Sequence, residues 1–141
     1  MPSIINISYA AAEQGAYPHK DPSVLIQITD PGTNAPSTPH KYVSKHCFQF
    51  HDAEDNNGAG EFPYVPKVLF KDHQAKQIVD ILTNALDNGY NVVVHCHAGL
   101  CRSGAVCEVG VMMGFEDMHR IRMPNVLVKN KLMKQLGWTY G

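Results

Sequence analysis

A cysteine and an arginine lie six positions apart in the late part of the chain, within the segment His-Cys-His-Ala-Gly-Leu-Cys-Arg-Ser-Gly at residues 95–104. A cysteine thiolate is a strong nucleophile, and a helix N-terminus with free backbone N–H groups stabilises that anion. An arginine guanidinium is a planar fork that binds two oxygens of one oxyanion. Cys96 and Arg102 therefore predict nucleophilic attack on an oxyanion that the arginine holds.

The five residues between Cys96 and Arg102 have the composition of an anion-binding loop. Gly99 permits the backbone turn that such a loop requires, and the apolar run Ser103–Met113 predicts a buried helix whose N-terminus faces the loop. Inward-pointing N–H groups would then surround three phosphoryl oxygens. We expect the substrate-binding residues to be His97, Ala98, Gly99, Leu100, Cys101 and Arg102.

Strands and helices must position this loop. Strands are predicted where β-branched residues cluster, at Ile4–Tyr9, Val24–Thr29 and Asn91–His95, and where an extended apolar pattern resumes, at His46–Phe50. Helices are predicted where apolar residues recur at helical spacing, at Val68–Leu86, Ser103–Met113, Asp117–Arg122 and Val126–Leu136. This order, with Cys96 at the carboxyl end of a valine-rich strand, predicts an α/β fold with a central, mainly parallel sheet flanked by helices.

The composition is that of an ordinary globular protein. A length of 141 residues, with 44% hydrophobic and 18% charged residues, predicts a single domain over residues 1–141. The formal net charge of −1 provides no basic field, so we expect neither a nucleic-acid partner nor a membrane partner. The chain has no long apolar run and no cationic leader, and we expect a cytoplasmic protein with reduced thiols. The oligomeric state is left open.

The segment 95–104 resembles the phosphate-binding loop of the protein tyrosine phosphatase superfamily, whose pattern is His-Cys, five residues, Arg, then Ser or Thr. The matching positions are His95, Cys96, Gly99, Arg102 and Ser103. The short chain and the late motif are similar to the compact dual-specificity branch, which often has an Arg-x-x-Pro-Asn turn. Arg122, Pro124 and Asn125 match that turn loosely, with one residue instead of two between the arginine and the proline. The resemblance covers about residues 44–137 and implies a cysteine phosphatase-like fold.

The resemblance implies a hydrolysis in two steps, with no cofactor and no metal. Cys96 would form a phosphocysteine that water then hydrolyses, and an aspartic acid on the loop after a strand would act as general acid and base. Asp52, directly after the strand His46–Phe50, is the first candidate, and Asp55 is the alternative general acid. Ser103 would stabilise the departing thiolate, and His95 would order the loop in a supporting role.

The predicted substrate is a phosphorylated protein or peptide with phosphotyrosine, and possible further substrates are phosphoserine and phosphothreonine. Two alternatives stay open: a catalytically weak module that binds phosphorylated ligands, and the same chemistry on a lipid or RNA phosphate. The loop interior 97–101 has no lysine or arginine, which favours protein or aryl phosphates. The clustered histidines and cysteines match no common zinc spacing, so no metal site is predicted.

Cys101 has two possible roles beyond its place in the loop. A low-pKa thiolate is readily oxidised, and a second thiol nearby can trap it as a disulfide before irreversible oxidation. Cys101 lies five positions after Cys96. It is therefore either a resolving thiol of that kind or a small residue that packs against the core.

Overall fold

The computed structural model describes residues 1–16, 22–54 and 67–138. The strands of this part of the chain are β1 Ser3–Ser8, β2 Ser23–Thr29, β3 Ser44–Gln49, β4 Asn91–Cys96 and β5 Glu116–Asp117. Its helices are α1 Tyr9–Gln14, α2 Asp72–Asn88, α3 Arg102–Met113 and α4 Val126–Gln135. None of these four helices has both the length and the apolar character needed to cross a membrane.

The five strands form one sheet in the order β3-β2-β4-β1-β5, and every neighbouring pair is parallel. The prediction of an α/β fold with a mainly parallel sheet is confirmed. Ser8 pairs with Cys96 and Thr29 pairs with Gln49, each at the carboxyl end of its strand. Because parallel strands all end at the same edge, the residues that follow β1, β2, β3 and β4 are brought together there.

Strand β4 lies at the centre of the sheet and is covered on both faces. Val92 and Val94 belong to the main core, under α2, α3 and α4. Val93 belongs to a smaller core on the opposite face with Ile5, Ile7 and Ala12, the last of these from α1. Side chains alternate between faces along a strand, so three consecutive valines bury apolar surface on both sides. This confirms the interpretation of the valine run as a central strand.

The predicted strand Ile4–Tyr9 ends one residue early, and a short helix follows that the sequence did not suggest. Ser8 has extended backbone angles, and its hydroxyl accepts a hydrogen bond from the Ala11 N–H at 3.0 Å. This is the geometry of a helix N-cap, which satisfies an N–H without an intrahelical partner. Strand β1 therefore passes directly into α1.

The predicted helix Asp117–Arg122 is wrong, because Glu116–Asp117 forms strand β5 and residues 118–125 are not helical. The Arg122 guanidinium binds the carboxylates of both Asp117 and Glu108. Beyond it, the backbone N–H groups of Met123 and Asn125 donate to the loop after β4. The long-range hydrogen bonds thus satisfy backbone N–H groups that a helix would have satisfied locally, and the ion pairs fix the Arg122 side chain.

Candidate active site

Cys96 is the last residue of β4, and its side chain is buried. Its Sγ lies 3.1 Å from the hydroxyl of Ser103, in the first turn of α3. A hydroxyl at this distance can donate a hydrogen bond to a thiolate. The structure thus brings Cys96 and Ser103 together as the sequence predicted.

The loop from His97 to Cys101 turns its carbonyl groups outward. Four of these carbonyls accept hydrogen bonds from outside the loop: His97 from the Tyr9 N–H (3.2 Å), Gly99 from the Asn6 amide (2.7 Å), Leu100 from the Met123 N–H (2.9 Å) and Cys101 from the Asn125 N–H (3.0 Å). In a trans peptide the N–H points away from the C=O. The N–H groups of Ala98, Leu100, Cys101 and Arg102 therefore face the other side, as an anion-binding loop requires.

Gly99→Ala is expected to destabilise the protein by about 3 kcal/mol or more. Gly99 has φ +75°, and a Cβ there would lie 2.5 Å from the carbonyl carbon of Ile7 and 2.6 Å from the backbone N of Ser8. Urea unfolding measures the loss, with Gly89→Ala as the matched control. Gly89 also has a positive φ, of +71°, but open space around it, so its replacement should cost about 1 kcal/mol. Equal losses in the two variants would contradict the steric argument.

Arg102 is buried at the start of α3. Its Nη1 donates to Asp30 Oδ1 at 2.7 Å and to the carbonyl of Phe50 at 2.9 Å. Its Nε is also buried but has no hydrogen-bond partner among the described residues. A buried donor of this kind normally has a partner, so Arg102 can accept an oxyanion as an additional ligand.

Asp52 follows β3 and lies against the loop after β4. Its Oδ1 accepts a hydrogen bond from the Asn125 amide at 2.8 Å, and its carboxylate also interacts with the Cys101 thiol. These three residues line one cleft of about 690 Å³. The structure therefore places the first candidate for the general acid beside the Cys96–Arg102 loop. The alternative, Asp55, lies outside the described residues.

Cys101 is half-buried, and its side chain interacts with the candidate acid Asp52. Burial raises the pKa of the Cys101 thiol, and the negative charge of Asp52 raises it further. A protonated thiol can donate a hydrogen bond to that carboxylate. Both roles of Cys101, the packing residue and the resolving thiol, stay predictions. Cys107 does pack in the core, and burial raises its pKa to about 11.

His95 precedes the nucleophile and is fully buried in β4. Both ring nitrogens lack hydrogen-bond partners in the described part of the chain, and the ring packs edge-on against Tyr9 at 6.0 Å between centroids. The supporting role of His95 in the loop stays a prediction. Desolvation by burial lowers its pKa to about 4, so the imidazole is neutral at pH 7.

His95 is expected to make folding stability depend on pH between about 6.5 and 4. Because its pKa is lower in the folded than in the unfolded protein, the unfolded state binds the extra proton in this window, and stability falls as pH falls. The drop in the His95 pKa from 6.5 to about 4 corresponds to about 3 kcal/mol of folding stability. Urea unfolding from pH 7 to pH 4 should show a flatter profile for His95→Gln, while His73→Gln, at an exposed position, should keep the wild-type slope. Identical slopes in all three proteins would contradict the assignment.

The histidines and cysteines near the sheet edge do not converge. In the described ranges, no group of three or more His, Cys, Asp or Glu side chains has an arrangement that could hold a metal ion. Adjacent strand residues explain this, since His46 and Cys47 in β3 point to opposite faces. Cys47 itself is exposed at the edge of the sheet.

No protein-family model and no curated protein matches the sequence, whereas solved structures do match. The human tyrosine phosphatase-like serine/threonine/tyrosine-interacting protein superimposes with a TM-score of 0.64 at 16% identity, over 97% of this chain and 93% of that chain. Human DUSP28 gives a TM-score of 0.58 at 19% identity, over 96% of this chain and 92% of that chain. The chain has the dual-specificity phosphatase fold. A third match is a mouse protein assigned to the dual specificity phosphatases and solved as a complex with zinc tungstate. It gives a TM-score of 0.55 at 17% identity, over 91% of this chain and 78% of that chain.

Two residues at this edge of the dual-specificity phosphatase fold were missed by sequence reasoning. Asn6 is a fully buried amide within the apolar strand β1, and a polar residue in such a strand signals a specific partner. Asp30 directly follows the buried strand β2, at the sheet edge where parallel folds bind their ligands. Both signals are present in the sequence, but the partners are 93 and 72 residues away along the chain.

Proposed function

We propose that this protein is a cysteine-dependent phosphatase that hydrolyses phosphotyrosine, and also phosphoserine and phosphothreonine, through a phosphocysteine intermediate. The observation that carries the proposal is the buried Cys96 Sγ, 3.1 Å from the Ser103 hydroxyl, at the start of a loop whose carbonyls are bonded from outside. Arg102, whose buried Nε has no hydrogen-bond partner among the described residues, completes this loop. The dual-specificity phosphatase fold of the chain supports the same conclusion.

In the first step, the Cys96 thiolate attacks phosphorus, an S–P bond forms, and the bond from phosphorus to the leaving oxygen breaks. Asp52 gives that oxygen its proton. The loop N–H groups and Arg102 bind the three phosphoryl oxygens, where negative charge is stabilised in the transition state. The products of this step are the free phenol or alcohol and the phosphocysteine.

In the second step, Asp52 takes a proton from water, and the water oxygen attacks phosphorus. The S–P bond breaks, inorganic phosphate forms, and Cys96 leaves as a thiolate. Ser103 donates a hydrogen bond to the departing sulfur from 3.1 Å, which lowers the cost of forming its negative charge. Asn125 holds Asp52 in place in both steps through the 2.8 Å hydrogen bond to Oδ1.

The substrate class is inferred from the charge around the loop. Residues 97–101 include no lysine or arginine, so Arg102 supplies the permanent positive charge of the loop. One such charge matches one phosphate group, whereas a lipid or nucleic-acid phosphate brings further negative charges that need further cations. A phosphorylated side chain in a protein or peptide is therefore the favoured substrate.

A second candidate is a module that binds phosphorylated ligands with little turnover. It is favoured by the likeness to a protein described as phosphatase-like and as an interacting protein. The two functions use the same loop and differ in whether the S–P bond forms. The chain carries Cys96, Asp52, Arg102 and Ser103 around one loop, which supports the enzyme over the binding module.

The test is a turnover assay on an aryl phosphate, a phosphotyrosine peptide and a phosphoserine peptide, each in the presence of a chelator. We expect release of inorganic phosphate, with the fastest rates for the aryl and tyrosine substrates. Binding of the peptides without any release of phosphate would instead establish the binding module. Activity that the chelator abolishes would point to metal-dependent chemistry and overturn the mechanism.

A further inference from the structure

We infer that Asp30 is a positioning residue for oxyanion binding, which acts by fixing the orientation of the Arg102 guanidinium. This inference rests on the proposed function of the Cys96–Arg102 loop and adds to it a residue outside the loop. The contact is direct, because Arg102 Nη1 lies 2.7 Å from Asp30 Oδ1. Asp30 touches the arginine and not the reacting atoms, so its effect on the reaction is exerted through Arg102.

The two hydrogen bonds at Nη1 leave the rest of the guanidinium for a ligand. Asp30 and the Phe50 carbonyl both accept from Nη1, while the buried Nε has no partner among the described residues. Because the guanidinium is planar, fixing its Nη1 also fixes the direction of its remaining N–H groups. That orientation is set before the anion arrives, which lowers the entropy cost of binding.

Asp30 is itself held on a defined turn. The Thr33 N–H donates to the Asp30 carbonyl at 3.0 Å, and the turn contains Pro31 and, at φ +84°, Gly32. These are the residues of a type II turn, in which proline fixes one φ and glycine takes the positive one. The side chain of Gln49 in β3 bonds the same turn, to the Gly32 N–H at 3.3 Å and the Thr33 carbonyl at 3.2 Å. The Asp30 carboxylate is therefore presented to Arg102 by two neighbouring strands.

The exposure of the two partners decides what this ion pair does. The Arg102 side chain is 5% exposed and the Asp30 side chain 53% exposed. Solvent screens the half-exposed Asp30 carboxylate, which limits what the pair contributes to folding stability. The negative charge by itself would oppose binding of an anion next to it. Orientation of Arg102 and charge repulsion from Asp30 thus predict opposite effects when Asp30 is replaced.

Binding of tungstate, a tetrahedral oxyanion that is not hydrolysed, separates the two effects. By isothermal titration calorimetry we expect Asp30→Ala to weaken tungstate binding about tenfold, the range of one lost charge-assisted hydrogen bond. Asp30→Asn keeps an oxygen acceptor for Nη1 and should stay within about threefold of wild type. In an Arg102→Ala background, Asp30→Ala should cause no further loss. Asp80→Ala, which removes an exposed carboxylate paired with Lys76 on α2, is the matched control and should bind as wild type.

Three results would overturn the inference: tighter or unchanged binding in Asp30→Ala, equal losses in Asp30→Ala and Asp30→Asn, or the same loss with and without Arg102. Thermal unfolding of each variant shows whether it is folded, and the NMR signal of the Arg102 Nε–H reports on the arginine without any ligand. If the Arg102 Nε–H signal broadens or disappears in Asp30→Ala while the protein stays folded, the inference is supported. An unchanged signal contradicts it. Wild-type protein that binds tungstate but hydrolyses no phosphate ester would refute the proposed enzyme and leave Asp30 to be judged by these measurements.

Discussion

Cys96→Ser is expected to abolish hydrolysis of every substrate while tungstate binding is retained. A serine hydroxyl lacks the nucleophilicity of a thiolate, but the loop N–H groups and Arg102 stay in place. Arg102→Ala should lose turnover and weaken tungstate binding to what the loop N–H groups alone provide, because it removes the guanidinium that holds the oxyanion. Phosphate release and calorimetric titration with tungstate measure the two properties separately.

The matched control for this prediction is Cys47→Ser, which makes the same atomic change at an exposed cysteine on the edge strand β3. It should keep wild-type turnover and wild-type tungstate binding. Hydrolysis that survives in Cys96→Ser would refute the phosphocysteine mechanism. Loss of tungstate binding in that variant would refute the separate roles assigned to Cys96 and to the rest of the loop.

Asp52→Asn is expected to slow hydrolysis of substrates with poor leaving groups by about 10²–10⁴-fold, the usual contribution of a positioned general acid. An amide can still accept the hydrogen bond from Asn125, but it cannot give a proton to the leaving oxygen. Aryl phosphates with acidic phenols need less protonation and should be slowed much less. The basic limb of the kcat/KM profile should flatten, because that limb records loss of the acid.

Glu54→Gln is the matched control, since Glu54 lies two residues further along the same segment and its carboxylate bonds the N–H of Val126 at the start of α4. A glutamine oxygen can accept that hydrogen bond, so turnover should change little. Asp55→Asn tests the alternative general acid. If Asp55→Asn slows hydrolysis mainly for substrates with poor leaving groups and Asp52→Asn does not, the general acid is Asp55.

The sequence by itself predicted the parts of this protein that depend on local pattern. The valine run indicated the central strand, the apolar run after Arg102 indicated α3, and the spacing of Cys96, Arg102 and Ser103 indicated the anion-binding loop. These features are encoded in neighbouring residues, because strand alternation, helix periodicity and a short loop each involve a few consecutive positions. The same holds for Asp52, whose place three residues after the end of β3 brings it to the sheet edge.

The tertiary structure decided the features that depend on which strands are neighbours. Strand β4 lies between β1 and β2, so Asn6 and Tyr9 from one side and Asp30 from the other reach the loop. The local sequence predicted a helix at Asp117–Arg122. The pairing of Arg122 with Asp117 and Glu108 holds that segment in another conformation. Hydrogen bonds from the backbone N–H groups of residues 123 and 125 to Leu100 and Cys101 fix the chain that follows it. Local propensity contributes tenths of a kcal/mol per residue, about the size of one such contact or less, and several contacts together outweigh it.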